Sequence, residues 1–521
     1  MKKITLLLSS IAVYSSTIGQ IVPTSYRGAF EPAPAEAWTN GWTNFTPALT
    51  TYPSTNTEIL AGDITSDQTW TKNKVYELKG YVFVKNGATL TIEAGTIIRS
   101  SGKCALVITR GSKINAAGTK DAPIVFTSNK PALQRTYGDW AGIVLCGAAQ
   151  HNLPLGVNAT VEGDIVANHG GSDDDDNSGV LQYVRIEFPG QALSSASNSE
   201  INGLSLYSVG RGTVIDHIQV SYSGDDSYEW FGGAANAKYL IAYRGQDDDF
   251  DTDNGFRGLV QFGVGHRDPA KADASGSNGF ESDNNAQGTS ALPQTAATFS
   301  NFTIVGPVYN GGPAAAADFK RAAHVRRNSS LRILNSILLG YTDAGLLLDG
   351  RKTIANAVNG TLMFKNNFVA NNTTNFKLAA TSDTLGITSS TDVENWALNS
   401  TNLNEKGSTS ESANLVNPFT FVNPDYRLSQ STGIEDALSL ASTEKIVLFP
   451  NPATDNLQIA LNSEYANATV TVQNAMGMTV ASSKAFGESV KFDVSGFANG
   501  LYIVSVSNGG NSISKTLLIN R

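Results

Sequence analysis

The feature that most constrains this sequence is a short apolar run, punctuated by Gly and Asn, that recurs between Leu60 and Leu428. Asn301–Gly306 resembles Asn335–Gly340, 34 residues later, and Asn367–Asn371 follows after a further 32 residues. Repeats of this length with one β run each are typical of a solenoid, because a single coil buries its apolar face only against its neighbours. Asn suits the start of the run, since it tolerates left-handed backbone geometry and its amide can hydrogen-bond from coil to coil.

A second set of β runs repeats earlier in the chain. The segments that begin at Tyr183, His217 and Tyr239 are spaced by 34 and 22 residues, so loops of different length leave the coils at a fixed corner. No stretch of this region carries a helical stripe of apolar residues. A large β-sandwich or jelly roll is the alternative all-β architecture.

The composition excludes several classes of protein. Charged residues make up only 16 %, and 37 Lys and Arg stand against 46 Asp and Glu, a net charge of −9. That balance fits neither a coiled coil nor a helical bundle, and the excess of acid predicts no nucleic-acid partner. The two cysteines, Cys104 and Cys146, lie in apolar runs, which leaves both a disulfide and two free buried thiols open.

The chain begins with the layout of a secretory signal peptide over residues 1–20. Lys2 and Lys3 precede the short apolar run Ile4–Val13, and small and polar residues follow it. Residues 21–59, rich in Pro, Thr and Trp, predict an irregular lead-in to a β domain over residues 60–428. No later apolar run approaches the length of a membrane-spanning helix, so we predict no transmembrane segment.

Several segments of the β domain resemble one group of exported proteins. Lys79–Ile98, Gly138–Val144, Val180–Phe188 and Asp249–Phe256 are similar to segments of Bacteroidetes surface proteins. Residues 60–370 as a whole resemble a right-handed parallel β-helix of the pectin-lyase-like superfamily. The resemblance implies an all-β fold, a parallel β-helix solenoid, and by itself implies no activity.

The C-terminal part of the chain is predicted to be a separate unit. A Ser-, Thr- and Ala-rich linker is expected over residues 429–445, and short alternating strands over residues 446–521 predict a small β-sandwich. This unit resembles the type A C-terminal sorting domain of the Bacteroidetes type IX secretion system. That resemblance implies the secretion machinery as partner and a cell-surface or released protein. It is carried by Pro450, Asn451, Pro452, Gly500, Tyr502 and Lys515.

Acidic residues are concentrated in residues 221–285, which hold 12 Asp and Glu against 5 Lys and Arg. Asp225–Glu229 aligns with Asp247–Asp251 at an offset of 22 residues, and Asn278–Asp283 aligns with the same element at an offset of 30. On successive coils, strand alternation predicts an inward aromatic stack and an outward column of carboxylates. The stack is Tyr228, Phe250 and Phe280, and the outward face holds Glu229, Asp251 and Glu281 with Asp249, Asp253 and Asp283.

Carboxylates on coils spaced by about 4.8 Å repel one another unless a cation binds or some groups stay protonated. Calcium is the expected cofactor, because hard oxygen ligands suit Ca²⁺ in an exported protein. Two oxygen-rich patterns that end in Gly support this: Asp173, Asp175 and Asn177 before Gly179, and Asp249, Asp251 and Asp253 before Gly255. The alternative is a solvated acidic surface neutralised by Arg244, Arg257 and Arg267.

Catalysis is a further interpretation of the acidic region. The acid pairs and histidine of polygalacturonases are loosely resembled by Asp225, Asp226, Asp248 and His266. Arg267 departs from that resemblance, because it stands where the family has Gly after the histidine. Pectate lyases of this fold use Ca²⁺ with Arg or Lys, and Arg244 is a candidate by its place in the sequence. Four aromatic residues could stack on sugar rings or cap the solenoid core: Trp230, Phe231, Tyr243 and Phe256.

These features together predict an exported, cell-surface or released β-helix protein that binds a glycan or envelope polymer, with calcium at its acidic loops. A polysaccharide lyase or glycoside hydrolase that acts on acidic polysaccharide is the second interpretation. The third is a structural adhesin without catalysis.

Overall fold

The computed structural model describes residues 21–55, 57–154, 159–163, 165–193, 200–379, 385–429, 446–474, 477–485, 489–508 and 511–520. The predicted signal peptide, residues 1–20, and nearly all of the predicted linker, residues 430–445, lie outside the described residues.

The strands of the central domain pair in parallel and wind into one solenoid, as the repeats predict. They are β1 (Thr57–Ile64), β2 (Gln68–Trp70), β3 (Val75–Val84), β4 (Thr89–Ile92), β5 (Ile97–Ser100), β6 (Gly102–Ile108), β7 (Lys113–Ala117), β8 (Ile124–Ser128), β9 (Trp140–Cys146), β10 (Gly179–Glu187), β11 (Leu204–Tyr207), β12 (Val214–Ser221), β13 (Tyr228–Phe231), β14 (Ala237–Tyr243), β15 (Phe250–Asp253), β16 (Leu259–His266), β17 (Phe280–Ser282), β18 (Thr298–Val305), β19 (Arg321–Val325), β20 (Arg332–Leu334), β21 (Ile337–Leu339), β22 (Ala344–Leu348), β23 (Met363–Lys365), β24 (Phe368–Ala370), β25 (Thr374–Leu378) and β26 (Glu405–Gly407).

Shorter elements complete this domain. They are the α-helices α1 (Arg351–Val358) and α2 (Ser390–Ala397), the 3-10 turns at Pro47–Leu49 and Ser410–Ala413, and the antiparallel pair β27 (Leu415–Asn417) and β28 (Asp425–Leu428).

The strand register confirms the spacing of the early repeats. Val184 pairs with Ile218 and Ile218 with Leu240, which are the predicted offsets of 34 and 22 residues. Alternate side chains of these strands point inward and fill the solenoid with one apolar cluster. Cys104 and Cys146 are free, buried thiols, so of the two alternatives left open the structure has unpaired cysteines.

The predicted inward aromatic stack is also confirmed. Tyr228, Phe250 and Phe280 are fully buried on three successive coils. Their ring centroids lie 5.4 Å and 5.5 Å apart along the stack. The Tyr228 hydroxyl, which would be costly to bury alone, donates to the main-chain oxygens of Ile218 and Ile241.

The asparagine repeats mark one corner of the solenoid. Asn301, Asn335 and Asn366 adopt left-handed backbone conformations there, with φ of 60°, 51° and 54°. Asn366 Nδ2 donates to Asn335 Oδ1 on the preceding coil at 2.8 Å. The prediction that Asn367 occupies this corner is wrong by one residue, because Ile337 pairs with Phe368 and the repeat is therefore 31 residues long.

We expect Asn335→Ala to destabilise the solenoid by about 2 kcal/mol. About half comes from placing a Cβ in the left-handed region and about half from the lost amide hydrogen bonds. Asn335→Gly removes the same side chain without the backbone strain, so urea unfolding should find it less destabilised than Asn335→Ala. Equal losses in the two variants would contradict the backbone contribution.

The lead-in packs along the outside of the solenoid. Trp38 and Trp42 contact a surface column of rings that includes Tyr183, His217 and Tyr239. The rings of that column stack with centroids 4.3 Å apart. Residues distant in sequence therefore cover aromatic side chains on the outer wall.

The C-terminal unit is a small antiparallel β domain with its own apolar core. Its strands form two sheets, one in the order β29-β30-β33 and one in the order β32-β31-β34-β35. They are β29 (Ile446–Phe449), β30 (Asn456–Leu461), β31 (Thr469–Asn474), β32 (Thr479–Lys484), β33 (Ser489–Asp493), β34 (Gly500–Asn508) and β35 (Asn511–Ile519), with a 3-10 turn at Ser463–Tyr465.

Candidate functional site

The outward side of strands β13, β15 and β17 carries the predicted column of acids. Glu229 pairs with Asp251 and Asp251 with Glu281, so the three side chains stack on successive coils. The column continues to Ser205 before Glu229 and to His324 after Glu281. The residues between the acids point into the apolar interior, which is why their side chains share one face.

Two turns bring further acids to the start of this column. Asp225 and Asp226 precede β13, and Asp247 and Asp248 precede β15. We call the combined set the acidic face; it consists of Asp225, Asp226, Glu229, Asp247, Asp248, Asp251 and Glu281.

The carboxylates of the acidic face converge in three overlapping groups. In each group, one oxygen per residue lies within 4.8 Å of the others. The groups are Asp225, Asp226 and Asp247; Asp226, Glu229 and Asp251; and Asp248, Asp251 and Glu281. Asp226 and Asp251 each belong to two groups, so the face is continuous from coil to coil.

Main-chain and amide groups hold these carboxylates in place. The N–H of Asp248 donates to Asp226 Oδ1 at 2.8 Å, and the N–H of Thr252 donates to Asp251 Oδ1 at 2.6 Å. Asn202 Nδ2 donates to Glu229. Within the described residues, the fully buried Ser205 Oγ beside Glu229 has no hydrogen-bond partner. The face therefore offers oriented oxygen atoms that its own donors leave incompletely used.

Cations neutralise only one end of the face. Glu281 pairs with Arg326, and its Oε2 lies 3.2 Å from His324 Nδ1. Asp283, just beyond β17, pairs with Arg326 at 2.8 Å and with Arg327 at 2.6 Å. Sequence reasoning missed these partners, although the alignment of β17 with β19 offers the signal that places them on the next coil.

The electrostatics follow this uneven distribution of cations. Burial first, and repulsion between neighbouring carboxylates second, raise the pKa of five acids: Asp225, Asp226, Glu229, Asp247 and Asp251. Burial and the charge of Glu281 raise the pKa of Asp248 to about 8. Burial opposes ionisation of Glu281 as well, but His324 and Arg326 outweigh it and lower its pKa.

The set of donors suits a hard divalent cation. All the convergent ligand atoms are carboxylate oxygens, which Ca²⁺ binds in flexible geometry. A cation among them would supply the positive charge that Arg326 and His324 supply at Glu281. The residues placed to hold it are those of the three groups, above all Asp226 and Asp251.

Asp249 does not lie on the outward face, as strand alternation had predicted. It is fully buried inside the solenoid, with Oδ2 3.2 Å from Arg267 Nε. Asp249 precedes β15, where the chain is still turning and the alternation of the strand does not yet hold. Asp253, at the end of β15, does stay on the outward side of that strand with Asp251.

The second oxygen-rich pattern serves its own loop. Asp173 Oδ1 accepts from the N–H of Asp175 at 3.1 Å, and Asn177 Oδ1 accepts from the N–H of Gly179 at 2.8 Å. The Asp175 side chain is 83 % exposed and pairs with Arg211 at 3.0 Å. Within the described residues, these oxygens do not form a convergent group like those of the acidic face.

The four aromatic residues near the acids are buried and present no ring to a sugar. Trp230 and Phe256 stack on each other in the interior, with centroids 5.3 Å apart. Phe231 stacks on Tyr207 in a second apolar cluster, and Tyr243 is covered by Phe45 and Phe421. Of the two alternatives, the structure supports packing of the solenoid.

His266 and Arg244 belong to another surface. His266 Nδ1 hydrogen-bonds to the Tyr426 hydroxyl at 2.8 Å, and burial lowers its pKa to about 3, so the ring stays neutral. Arg244 pairs with Asp268, and its guanidinium lies over the Phe421 ring, 4.4 Å from the centroid.

The remaining predicted cations are also engaged elsewhere. Arg257 pairs with Asp174. Arg267 is buried inside the solenoid. The expectation that Arg244, Arg257 and Arg267 neutralise the column is therefore wrong, because Arg326 and His324 contact it instead.

The predicted sorting residues hold the C-terminal strand against the start of its domain. Asn451, between Pro450 and Pro452, donates from Nδ2 to the Thr516 oxygen at 2.9 Å and accepts from the N–H of Leu518 at 2.8 Å. Lys515 Nζ donates to the Ile446 oxygen at 3.2 Å. The two residues of the third motif lie on β34, where Gly500 begins the strand and the Tyr502 hydroxyl donates to Ala498.

Comparisons with known proteins agree with this division. Residues 62–416 match the family described as a pectate-lyase-like β-helix domain, and residues 447–520 match the secretion system C-terminal sorting domain. No curated protein matches the chain significantly. Among the described helices, none is long and apolar enough to cross a membrane.

The sorting domain indicates export through the type IX secretion system to the cell surface or the extracellular space. The first match spans more than half of the sequence, and its parallel coils are those of the structure. The chain therefore belongs to the pectate-lyase-like β-helix family.

Proposed function

We propose that this exported β-helix protein binds an anionic extracellular polysaccharide through Ca²⁺ held on the acidic face. One observation carries the proposal: carboxylates from three successive coils converge within 4.8 Å, with cationic partners only at Glu281. Buried carboxylates at such distances need a counter-charge or protons. A divalent cation provides the counter-charge without further protein groups.

Calcium is the cation that best fits the donors. It takes about six to eight oxygen ligands and accepts irregular geometry, whereas Mg²⁺ requires a near-ideal octahedron. The groups that share Asp226 and Asp251 supply several oxygens but leave the outward side of a bound ion uncovered. Groups from a ligand can complete its coordination there.

The proposed ligand follows from this incomplete coordination. A sugar acid offers a carboxylate, which a protein-bound Ca²⁺ attracts and which the bare acidic face repels. Arg326 and Arg327 at the end of the column add guanidinium groups, which suit carboxylates geometrically. Neutral sugars would lack both interactions, since the aromatic rings near the face are buried.

Glycoside hydrolysis is the second candidate function, and the grouping of Asp226, Glu229 and Asp251 favours it. Retaining hydrolases place two carboxyl groups about 5–5.5 Å apart and raise the pKa of the acid. Burial and repulsion raise the pKa of all three residues here. A mature protein that releases reducing ends from the polymer it binds would establish this candidate.

The test is binding of the mature protein to immobilised polygalacturonate or alginate, with dextran as the neutral control. We expect retention in millimolar Ca²⁺ and release by EDTA, for the anionic polymers only. Asp226→Asn should weaken retention at least about tenfold, because the residue joins two ligand groups. Asp175→Asn, a change at an acid that is 83 % exposed outside the face, is the matched control and should leave retention unchanged.

Two results would contradict the proposal. One is retention that is indifferent to calcium, and the other is no retention of any anionic polymer. The second result would favour a structural protein without a polysaccharide ligand.

A further inference from the structure

A charged pair lies inside the solenoid behind the acidic face. Arg267 and Asp249 have fully buried side chains, with Arg267 Nε 3.2 Å from Asp249 Oδ2. The same nitrogen lies 3.2 Å from the Tyr341 hydroxyl. The surroundings are otherwise the apolar interior of the coils, so this pair is an exception to the composition of the core.

The Arg267 guanidinium also contacts the main chain of two turns. It donates to the main-chain oxygens of Asp247 and Asn278, and to that of Gly245 at 3.3 Å. Gly245 and Asp247 lie in the turn before β15, and Asn278 lies in the turn before β17. One side chain thus joins successive coils from within.

The outer sides of these two turns carry part of the acidic face. Asp247 and Asp248 belong to the first turn. In the second, the N–H of Asn278 donates to Asp248 Oδ1, and Asn278 Nδ2 donates to Glu281 Oε2 at 3.1 Å. The positions of Asp248 and Glu281 relative to each other therefore depend on how the two turns are held.

Packing alone does not explain a buried guanidinium at this place. Removing two charges from water costs several kcal/mol, and an apolar pair of similar volume is often as stable or more so. What an apolar side chain cannot do is satisfy three inward-facing carbonyls. The arrangement therefore specifies geometry at a cost in stability.

We propose that Arg267 is a positioning residue, which fixes the turn of Asp247 and Asp248 against the turn of Asn278 and so sets the spacing of the carboxylates that bind the cation. The inference rests on the proposed function for the identity of that cation. Arg267 itself contacts neither the cation nor the polysaccharide.

The test compares Arg267→Lys with Arg135→Lys. Arg135 is the matched control, because it is only 8 % exposed and donates to the main-chain oxygens of Lys130, Pro47 and Thr50 at 2.9–3.0 Å. Lysine keeps the charge in both variants but lacks the planar fork that spans several acceptors. Calorimetric titration with Ca²⁺ should find affinity lowered by about 10- to 100-fold in Arg267→Lys, as for other residues that orient metal ligands, and unchanged in Arg135→Lys.

A second measurement needs no calcium. In EDTA, hydrogen exchange at the amides of Asp248 and Asn278 should accelerate in Arg267→Lys and keep its wild-type rate in Arg135→Lys. If the wild type binds no Ca²⁺, the proposed function fails while the exchange rates still decide the positioning role. Should Arg267→Lys not fold, Tyr341→Phe removes one partner of the guanidinium and should give the same effects in weaker form.

The inference is overturned if Arg267→Lys and Arg135→Lys lose stability alike while Ca²⁺ affinity and amide exchange at the two turns stay at wild-type values. That result would make Arg267 an ordinary structural residue.

Discussion

Removing calcium should lower the melting temperature of the protein, and the loss should grow as the pH rises from about 5 to about 8. Burial and repulsion raise the pKa of Asp226, Glu229 and Asp251, and they raise that of Asp248 to about 8. Unfolded carboxyls titrate near pH 4.

The sign follows from linkage. A carboxyl whose pKa is higher in the folded state stabilises that state while protonated, and this stabilisation disappears as the pH rises through the folded-state pKa. Protons therefore neutralise the acidic face at low pH without metal. Calcium takes over that role where the protons have left, so its contribution is largest at the alkaline end.

The measurement is a set of thermal melts in EDTA and in millimolar Ca²⁺ at several pH values. Calcium at about 100 times its Kd should stabilise the native state by about 2.7 kcal/mol. A calcium increment that is the same at every pH would contradict the replacement of protons by metal.

Asp251→Asn separates the two models of the acidic face by sign. In calcium, the variant should be less stabilised than the wild type, because Asp251 belongs to two of the three ligand groups. In EDTA it should be more stable by a few tenths to about 1 kcal/mol, because the repulsion with Glu229 and Glu281 is relieved. Asp175→Asn should show neither effect. Melting indifferent to both EDTA and calcium, with Asp251→Asn more stable throughout, would eliminate the metal site.

The coils could be predicted from sequence because register leaves a direct record in the spacing of residues. The offsets that place Glu229, Asp251 and Glu281 in one column are the offsets of the repeats themselves. The same alternation that turns Glu229 outward turns Trp230 inward beside Tyr228, so the burial of Trp230 was also within reach. Asn367 was misplaced because one turn is a residue shorter than its neighbours.

The surroundings of the acidic face could not be predicted in this way. Tyr243 points outward from its strand, but Phe45 and Phe421, from chain segments far apart in sequence, cover it. Arg326 reaches Glu281 from the next coil after a long loop, whereas the nearer Arg267 turns into the interior. Spacing determines which residues stack, but it does not determine which loops cover them.

Deletion of Ile446–Arg521 should leave the solenoid folded and retain the protein in the periplasm. The C-terminal domain has an apolar core of its own, which includes Ile446 and Ile519, and the solenoid core runs separately from Leu60 to Ala397. Truncation therefore removes no side chain from the interior of the coils. It does remove the sorting domain, which matches residues 447–520.

The expected effect on export is all or none, because a sorting domain is a recognition signal and not a contribution to stability. Immunoblots of periplasmic and extracellular fractions should find the truncated protein in the first only, with the melting temperature of the solenoid unchanged. The reciprocal control attaches residues 446–521 to a folded periplasmic reporter, which should then appear outside the cell. Extracellular truncated protein at wild-type levels would show that the β-helix itself carries the signal for secretion.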